Sequence, residues 1–118
     1  TDDVFLKIEQ GDLETLKQND QLLEEMSKGN CFKGFIEGDL QFNPTYKYLP
    51  GMDGYDRRPE KKIRAPAWCD RVLCNSKLPE DRYFNNQLFY QCANLLSSDH
   101  KPVSALYHCE LRVMQGKL

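Results

Sequence analysis

The sequence predicts a layered fold of mixed class, α+β or α/β, with helices first and strands joined by long loops after them. Three observations carry this. Apolar residues recur at helical spacing through residues 2–28, and they alternate at every second position from Val103 to Val113. The 118 residues, 40% hydrophobic and 29% charged, suffice for one domain with a modest core.

Residues 2–28 read as helix, broken near Gly11 and again near Asn19. Leu13, Leu16, Leu23 and Met26 share one face, Asp12 and Asp20 stand where N-caps belong, and Gly29 is a stop. The stretch "FIEGDLQF", Phe35 to Phe42, alternates apolar residues around Gly38 and Asp39, predicting a strand or hairpin ahead of Pro44. Residues 43–67 contain Pro44, Pro50, Gly51, Gly54, Pro59 and Pro66; connections of this length are uncommon unless they carry function. "CDRVLCN", from Cys69, reads as a strand. A polar excursion from Lys77 to Asn86 leads to another strand around Leu88 to Ala93. The last element, Val103 to Val113, places Val, Ala, Tyr, Cys, Leu and Val at its alternate positions, the pattern of a half-buried strand.

Charge is unevenly spread. The net charge is −2, yet residues 1–25 hold eight acids against two lysines, while residues 57–71 hold six bases against two acids. A positive segment on an acidic chain suits one specific anion better than long nucleic acid, which needs a broader basic face. A solvated charged loop is the ordinary alternative. The five cysteines are odd in number and include no CxxC pair, so reduced thiols in an intracellular protein are a simpler reading than a disulfide framework or a zinc knuckle. None is followed six places later by arginine, which removes the usual cysteine nucleophile for phosphate esters. No apolar run is long enough to cross a bilayer, and "TDDVFLKIEQ" is acidic rather than signal-like.

Phosphate chemistry here would therefore need a metal or a histidine. His100, in the polar turn "SDHKP" before the last strand, stands beside Asp99 at a position suited to presenting a side chain at a sheet edge. His108 falls mid-strand on the outward parity and reads as structural. Asp70 has three possible uses: capping a turn, pairing with Arg71, or orienting a histidine from a neighbouring strand. Trp68 is by default a core residue whose indole NH finds a partner. Lys62 and Arg64 are two apart, so in an extended segment they point the same way and can grip one phosphate, with Tyr46 and Lys47 as further candidates. Taken singly, each cation is equally well a solvated surface group.

Three blocks resemble one family. "PAWCDRVL" at Pro66 to Leu73, "SDHKPVSAL" at Ser98 to Leu106 and "FIEGDLQFNPTYKY" at Phe35 to Tyr48 look like carboxy-terminal segments of the inositol polyphosphate 5-phosphatases, in the same order and spacing. "SDHKPVSALYH" looks closest to the type II branch. The resemblance covers essentially the whole chain, 1–118, and implies the C-terminal portion of a DNase I-like fold, a two-sheet sandwich flanked by helices. It implies magnesium-dependent removal of the 5-phosphate from phosphoinositides or soluble inositol polyphosphates, with a metal-activated water attacking in line. By the same likeness His100 would contact the scissile phosphate, Asp70 would hold the imidazole, and Asp99 would lie beside metal and water. Tyr46, Lys47, Lys62 and Arg64 would read the 4-phosphate, and Arg71 would form a supporting ion pair.

Two departures from the family pattern are mild: Cys74 stands where an aromatic is common, and "DRRPEKK" is more basic than the usual loop. A larger one is that the upstream metal-binding glutamate, asparagine, histidine and G-D-x-N block do not occur in these residues, so the chain alone is expected neither to bind magnesium tightly nor to turn over substrate. The expected partners are a phosphoinositide headgroup or a soluble inositol polyphosphate, with no nucleic acid, in a cytoplasmic protein peripheral on membranes. A nuclease of the same superfamily and a non-catalytic phosphoinositide-binding or regulatory fragment are the rivals.

Overall fold

The computed structural model describes residues 1–75 and 86–109. Three short helices open the chain: α1 (Asp2–Glu9), α2 (Leu13–Gln18) and α3 (Gln21–Ser27). Their boundaries follow local chemistry. Asp12 accepts the Thr15 N–H and hydroxyl at 3.2 and 2.7 Å, and Asp20 accepts the Leu23 N–H at 2.9 Å, satisfying amides that have no partner within the helix. Gly11 and Gly29, at φ of 71° and 72°, end α1 and α3 in the left-handed region. In each case the glycine N–H and the next N–H bond back to carbonyls of the last turn, Ile8 and Lys7 for α1, Met26 and Glu25 for α3.

Four strands follow in two antiparallel pairs. β1 (Ile36–Glu37) pairs with β2 (Leu73–Cys74), Ile36 opposite Cys74. β3 (Asn86–Cys92) pairs with β4 (Val103–His108), Tyr90 opposite Ala105 and Cys92 opposite Val103, with a register shift between Gln87 and Phe89. Of the strand or hairpin expected ahead of Pro44, the strand forms, as β1, and the hairpin at Gly38 and Asp39 does not. β1 instead pairs with a segment 37 residues downstream, and Leu40 turns inward to 2% exposure, so burial of that side chain overrides the local turn signal. The strand expected from Cys69 narrows to Leu73–Cys74: the Val72 N–H goes to the Tyr90 hydroxyl rather than to a ladder partner, and Trp68 and Arg71 are held through their side chains. The alternation along β4 holds, with Val103, Ala105 and Tyr107 half-buried and Ser104, Leu106 and His108 exposed. Cys109 lies outside the strand and is exposed; the expected continuation through Val113, like most of the polar excursion, lies outside the described residues.

The core is Leu40, Trp68 and Tyr90, with Leu13, Leu16, Leu23, Phe42, Val72, Val103 and Ala105 around them. Met26, placed on the same helical face by its spacing, is half-buried outside that cluster. The Trp68 indole N–H donates to the Phe42 carbonyl at 2.8 Å, and the Phe42 ring meets Tyr90 edge-on at 5.2 Å. Lys17 reaches Asp39 at 2.7 Å and ties α2 to the segment after β1. A smaller aromatic cluster stacks Tyr48 on Tyr55 at 4.4 Å, both hydroxyls donating to the Pro44 carbonyl, with Phe5 edge-on to Tyr55. Burial and that neighbourhood hold the Tyr55 phenol well above its usual pKa, so it stays a donor.

Candidate functional site

The site is organised by one extended segment, Thr45 to Tyr48. Tyr46 pairs antiparallel with Ala67 on one side and with His100 on the other. The Lys101 N–H donates to the Thr45 carbonyl at 2.9 Å, and the Tyr48 N–H to the Asp99 carbonyl at 2.8 Å. Along the opposite edge the Ala67 N–H bonds the Tyr46 carbonyl and the Asp56 N–H bonds the Lys47 carbonyl. The long connection thus behaves as a short ladder. Its effect is to lay the three sequence blocks side by side.

His100 and Asp70, thirty residues apart, meet: Nδ1 lies 2.7 Å from the carboxylate Oδ2. Of the three uses open to Asp70, orienting the histidine is the one adopted. With Nδ1–H donating to the carboxylate, Nε2 is the nitrogen left to face a ligand. The Tyr46 ring lies 4.8 Å from the imidazole, centroid to centroid, and borders its other side. Both members of the pair are partly open to solvent, His100 at 42% and Asp70 at 52% side-chain exposure. The adjacent Cys69 thiol is pushed up by burial and by the Asp70 charge, which makes it a weak nucleophile.

The cations divide into two groups. Lys47 Nζ lies 3.6 Å from Asp56, whose carboxylate is already gripped by Arg58 through two bonds of 3.0 and 2.8 Å. The Arg58 hydrogen bonds, helped by Lys47, hold the Asp56 carboxyl well below the usual range, so it stays ionised and anchors Lys47 beside Tyr46. Lys62 and Arg64 are exposed, with no ion pair among the described residues. Tyr46 is therefore held at the histidine, and Lys47, next in the chain, is tied to Asp56, whereas Lys62 and Arg64 stand exposed on the segment leading to Ala67.

Arg71 turns away from Asp70. Its guanidinium, 7% exposed, bonds Glu37 at 2.6 and 2.7 Å and Asp20 at 2.9 and 3.0 Å. Tyr90 donates to Glu37 at 2.6 Å and accepts the Val72 N–H at 3.1 Å. This supporting network joins the cap of α3, β1 and β3 to the residue that follows Asp70 in the chain.

Asp99 is half-buried; its carboxylate has the Ser98 hydroxyl at 3.4 Å and, among the described residues, no cation or imidazole partner. Among the described residues no group of three His, Cys, Asp or Glu side chains is placed to hold a metal. A magnesium ion demands near-octahedral oxygen ligation, and Asp99 alone does not fit that requirement.

Two residues of the site carried no functional signal in the sequence. Asp56 follows an identifiable rule, an Asx turn in which its side chain accepts the Arg58 N–H two residues on, and that spacing could have found it. Lys101 is buried next to His100, and nothing in its neighbourhood of the sequence announces it.

Comparison with known proteins bears on this geometry. The model for Endonuclease/Exonuclease/phosphatase family 2 matches residues 1–106. The type II inositol 1,4,5-trisphosphate 5-phosphatase of Mus musculus is 41% identical over 112 residues, covering 94% of this chain and 10% of that protein. Among solved structures, the inositol polyphosphate 5-phosphatase domain of SPsynaptojanin, in complex with inositol (1,4)-bisphosphate and calcium, superposes with a TM-score of 0.78 at 38% identity, over 90% of this chain and 29% of that one. A Cimex nitrophorin in its ferrous NO complex superposes equally well, TM-score 0.78, but at 28% identity over 92% of this chain and 36% of its own. The fold thus carries more than one kind of function. The chain spans about a tenth of the length of the curated relative and under a third of the solved phosphatase domain. It has the DNase I-like architecture its motifs imply, and on the extent of these matches it belongs to Endonuclease/Exonuclease/phosphatase family 2, with the inositol polyphosphate 5-phosphatases.

Proposed function

We propose that this chain supplies the histidine and substrate-clamp half of a site that removes the 5-phosphate from phosphoinositides or soluble inositol polyphosphates. The observation that carries the proposal is the double pairing of Tyr46, which lays its segment between those of Ala67 and His100, with His100 in contact with Asp70 and Lys47 next to Tyr46 in the chain. The bound inositol (1,4)-bisphosphate of the SPsynaptojanin domain supports the choice of substrate class.

Asp70 fixes the ring through Nδ1–H, and the imidazolium form presents Nε2–H to a phosphate oxygen, where it stabilises charge as it develops. Lys47, assisted by Lys62 and Arg64 and bordered by Tyr46, takes a neighbouring phosphate. Magnesium, when bound, would supply the activated water. Among the described residues Asp99 is the one that would contribute to it. Peripheral contact with a membrane in the cytoplasm belongs to the same proposal and draws on the basic run Arg57 to Arg64.

The full-length protein bearing this chain should release inorganic phosphate from inositol 1,4,5-trisphosphate. Cleavage of nucleic acid without phosphate release would support the nuclease instead. The nitrophorin likeness keeps one further rival in view, a non-catalytic headgroup binder; its mark would be binding that persists in His100→Ala with no turnover in wild type. The clamp carries its own expectation. Lys47→Ala and Lys62→Ala should weaken substrates bearing a 4-phosphate roughly ten- to a hundredfold, the worth of one charge-assisted hydrogen bond, and spare substrates lacking it. Equal losses on both, measured as kcat/KM, would remove the clamp. The 118-residue chain alone, supplied with magnesium, should release no phosphate above background in a contamination-controlled assay, because Asp99 by itself is a poor ligand set.

A further inference from the structure

The two halves of the site are joined by little backbone. Only two ladder bonds connect Thr45–Tyr48 to Asp99–Lys101, and so short a ladder is prone to fray. A buried side chain sits across this junction. Lys101 Nζ lies 2.7 Å from Asp53 Oδ1 and 2.9 Å from Asn94 Oδ1, and 4.3 Å from the centroid of the Tyr48 ring. These partners come from three places. Asp53 is in the turn between the paired residues Tyr48 and Tyr55, Asn94 follows β3, and Tyr48 is the residue whose N–H bonds the Asp99 carbonyl.

Nothing in the histidine's own contacts explains this arrangement, since Lys101 touches neither Asp70 nor the open face. We propose that Lys101 is a positioning residue, its ammonium pinning the Tyr48–Tyr55 turn to the segment that carries Asp99 and His100. It thereby sets the placement of Tyr46 and Lys47 against the imidazole. The inference rests on the proposed phosphatase site for its kinetic consequence, but its geometric content stands on the contacts alone.

The chemistry suits a permanent tie. Burial works against the ammonium, yet the hydrogen bond and charge of Asp53, together with Tyr48, outweigh it and hold the Lys101 pKa above the usual lysine value, so the cation persists. A three-donor ammonium can satisfy Asp53 and Asn94 together while resting on an aromatic face. Methionine preserves most of the stem and offers neither donor nor charge.

The test compares wild type, Lys101→Met, Lys101→Arg and Asp53→Asn in the full-length protein bearing the chain. With isotope-labelled histidine, the His100 ring resonance, assigned through His100→Asn, reports the Tyr46 ring current at 4.8 Å. It should move in Lys101→Met and less far in the same direction in Asp53→Asn, while Trp68 fluorescence, a core reporter, stays at the wild-type value. Turnover of inositol 1,4,5-trisphosphate should fall about ten- to a hundredfold in Lys101→Met, the scale of a small misplacement of reacting groups, and recover in part in Lys101→Arg. A His100 resonance unchanged in a folded Lys101→Met would overturn the proposal. Should that variant fail to fold, an unmoved resonance in Asp53→Asn, whose altered side chain is largely exposed, overturns it equally. Absence of phosphate release by wild type would defeat the phosphatase reading and leave the resonance comparison to decide on Lys101.

Discussion

His100→Ala should lower turnover by roughly 10²–10⁴-fold while changing substrate affinity far less. The reason is the geometry of one ring. Asp70 occupies Nδ1 at 2.7 Å and fixes the ring; in its imidazolium form the ring offers Nε2–H as a preorganised donor whose bond strengthens as the phosphate oxygen gains charge. An interaction made chiefly in the transition state appears in kcat rather than in KM. Steady-state kinetics on inositol 1,4,5-trisphosphate, with the full-length protein bearing this chain, checks the split. A loss confined to KM would reassign His100 from transition-state stabilisation to ordinary headgroup binding.

Arg71→Ala is expected to destabilise the fold by about 3–5 kcal/mol, since it strands two buried carboxylates. Glu37 is 3% exposed and Asp20 11% exposed at the side chain, and both face the guanidinium within 3.0 Å. Tyr90 offers Glu37 one hydrogen bond, which does not replace a charge. In a domain of this size such a loss lowers the melting temperature by more than about 10 °C. The exposed pair Glu24–Lys28 supplies the contrast: both side chains are more than half exposed, and Lys28→Ala should cost under about 1 kcal/mol. Thermal melts of both variants test the difference, and equal small losses would show that the Arg71 network contributes little.

What was legible in the sequence was mostly local. Asp12, Asp20, Gly11 and Gly29 mark the helix ends because capping is decided within four residues. The inward parity of Val103, Ala105 and Tyr107 follows from the two-residue period of a strand. Around Gly38–Asp39 the sequence left strand and hairpin both open, because turn chemistry is local while the burial of Leu40 against Trp68 and Tyr90, which favours the strand, is not. At the site, the motif likeness indicated His100 with Asp70, though periodicity alone left three uses for the aspartate open. Arg71 as a supporting pair is borne out by Glu37 and Asp20, 34 and 51 residues away. Lys101 escaped because a lysine in a polar turn normally points to water, and its partner Asp53 is 48 residues distant.

The proposed chemistry requires His100 and Lys47 to face the same small anion. Titrating inositol (1,4)-bisphosphate into the full-length protein, with the His100 ring and the Lys47 ε-methylene followed by NMR, measures this directly. Both signals should move along a single saturation curve with one dissociation constant. Movement of the lysine with a silent histidine, or two curves of different midpoint, would contradict a shared site.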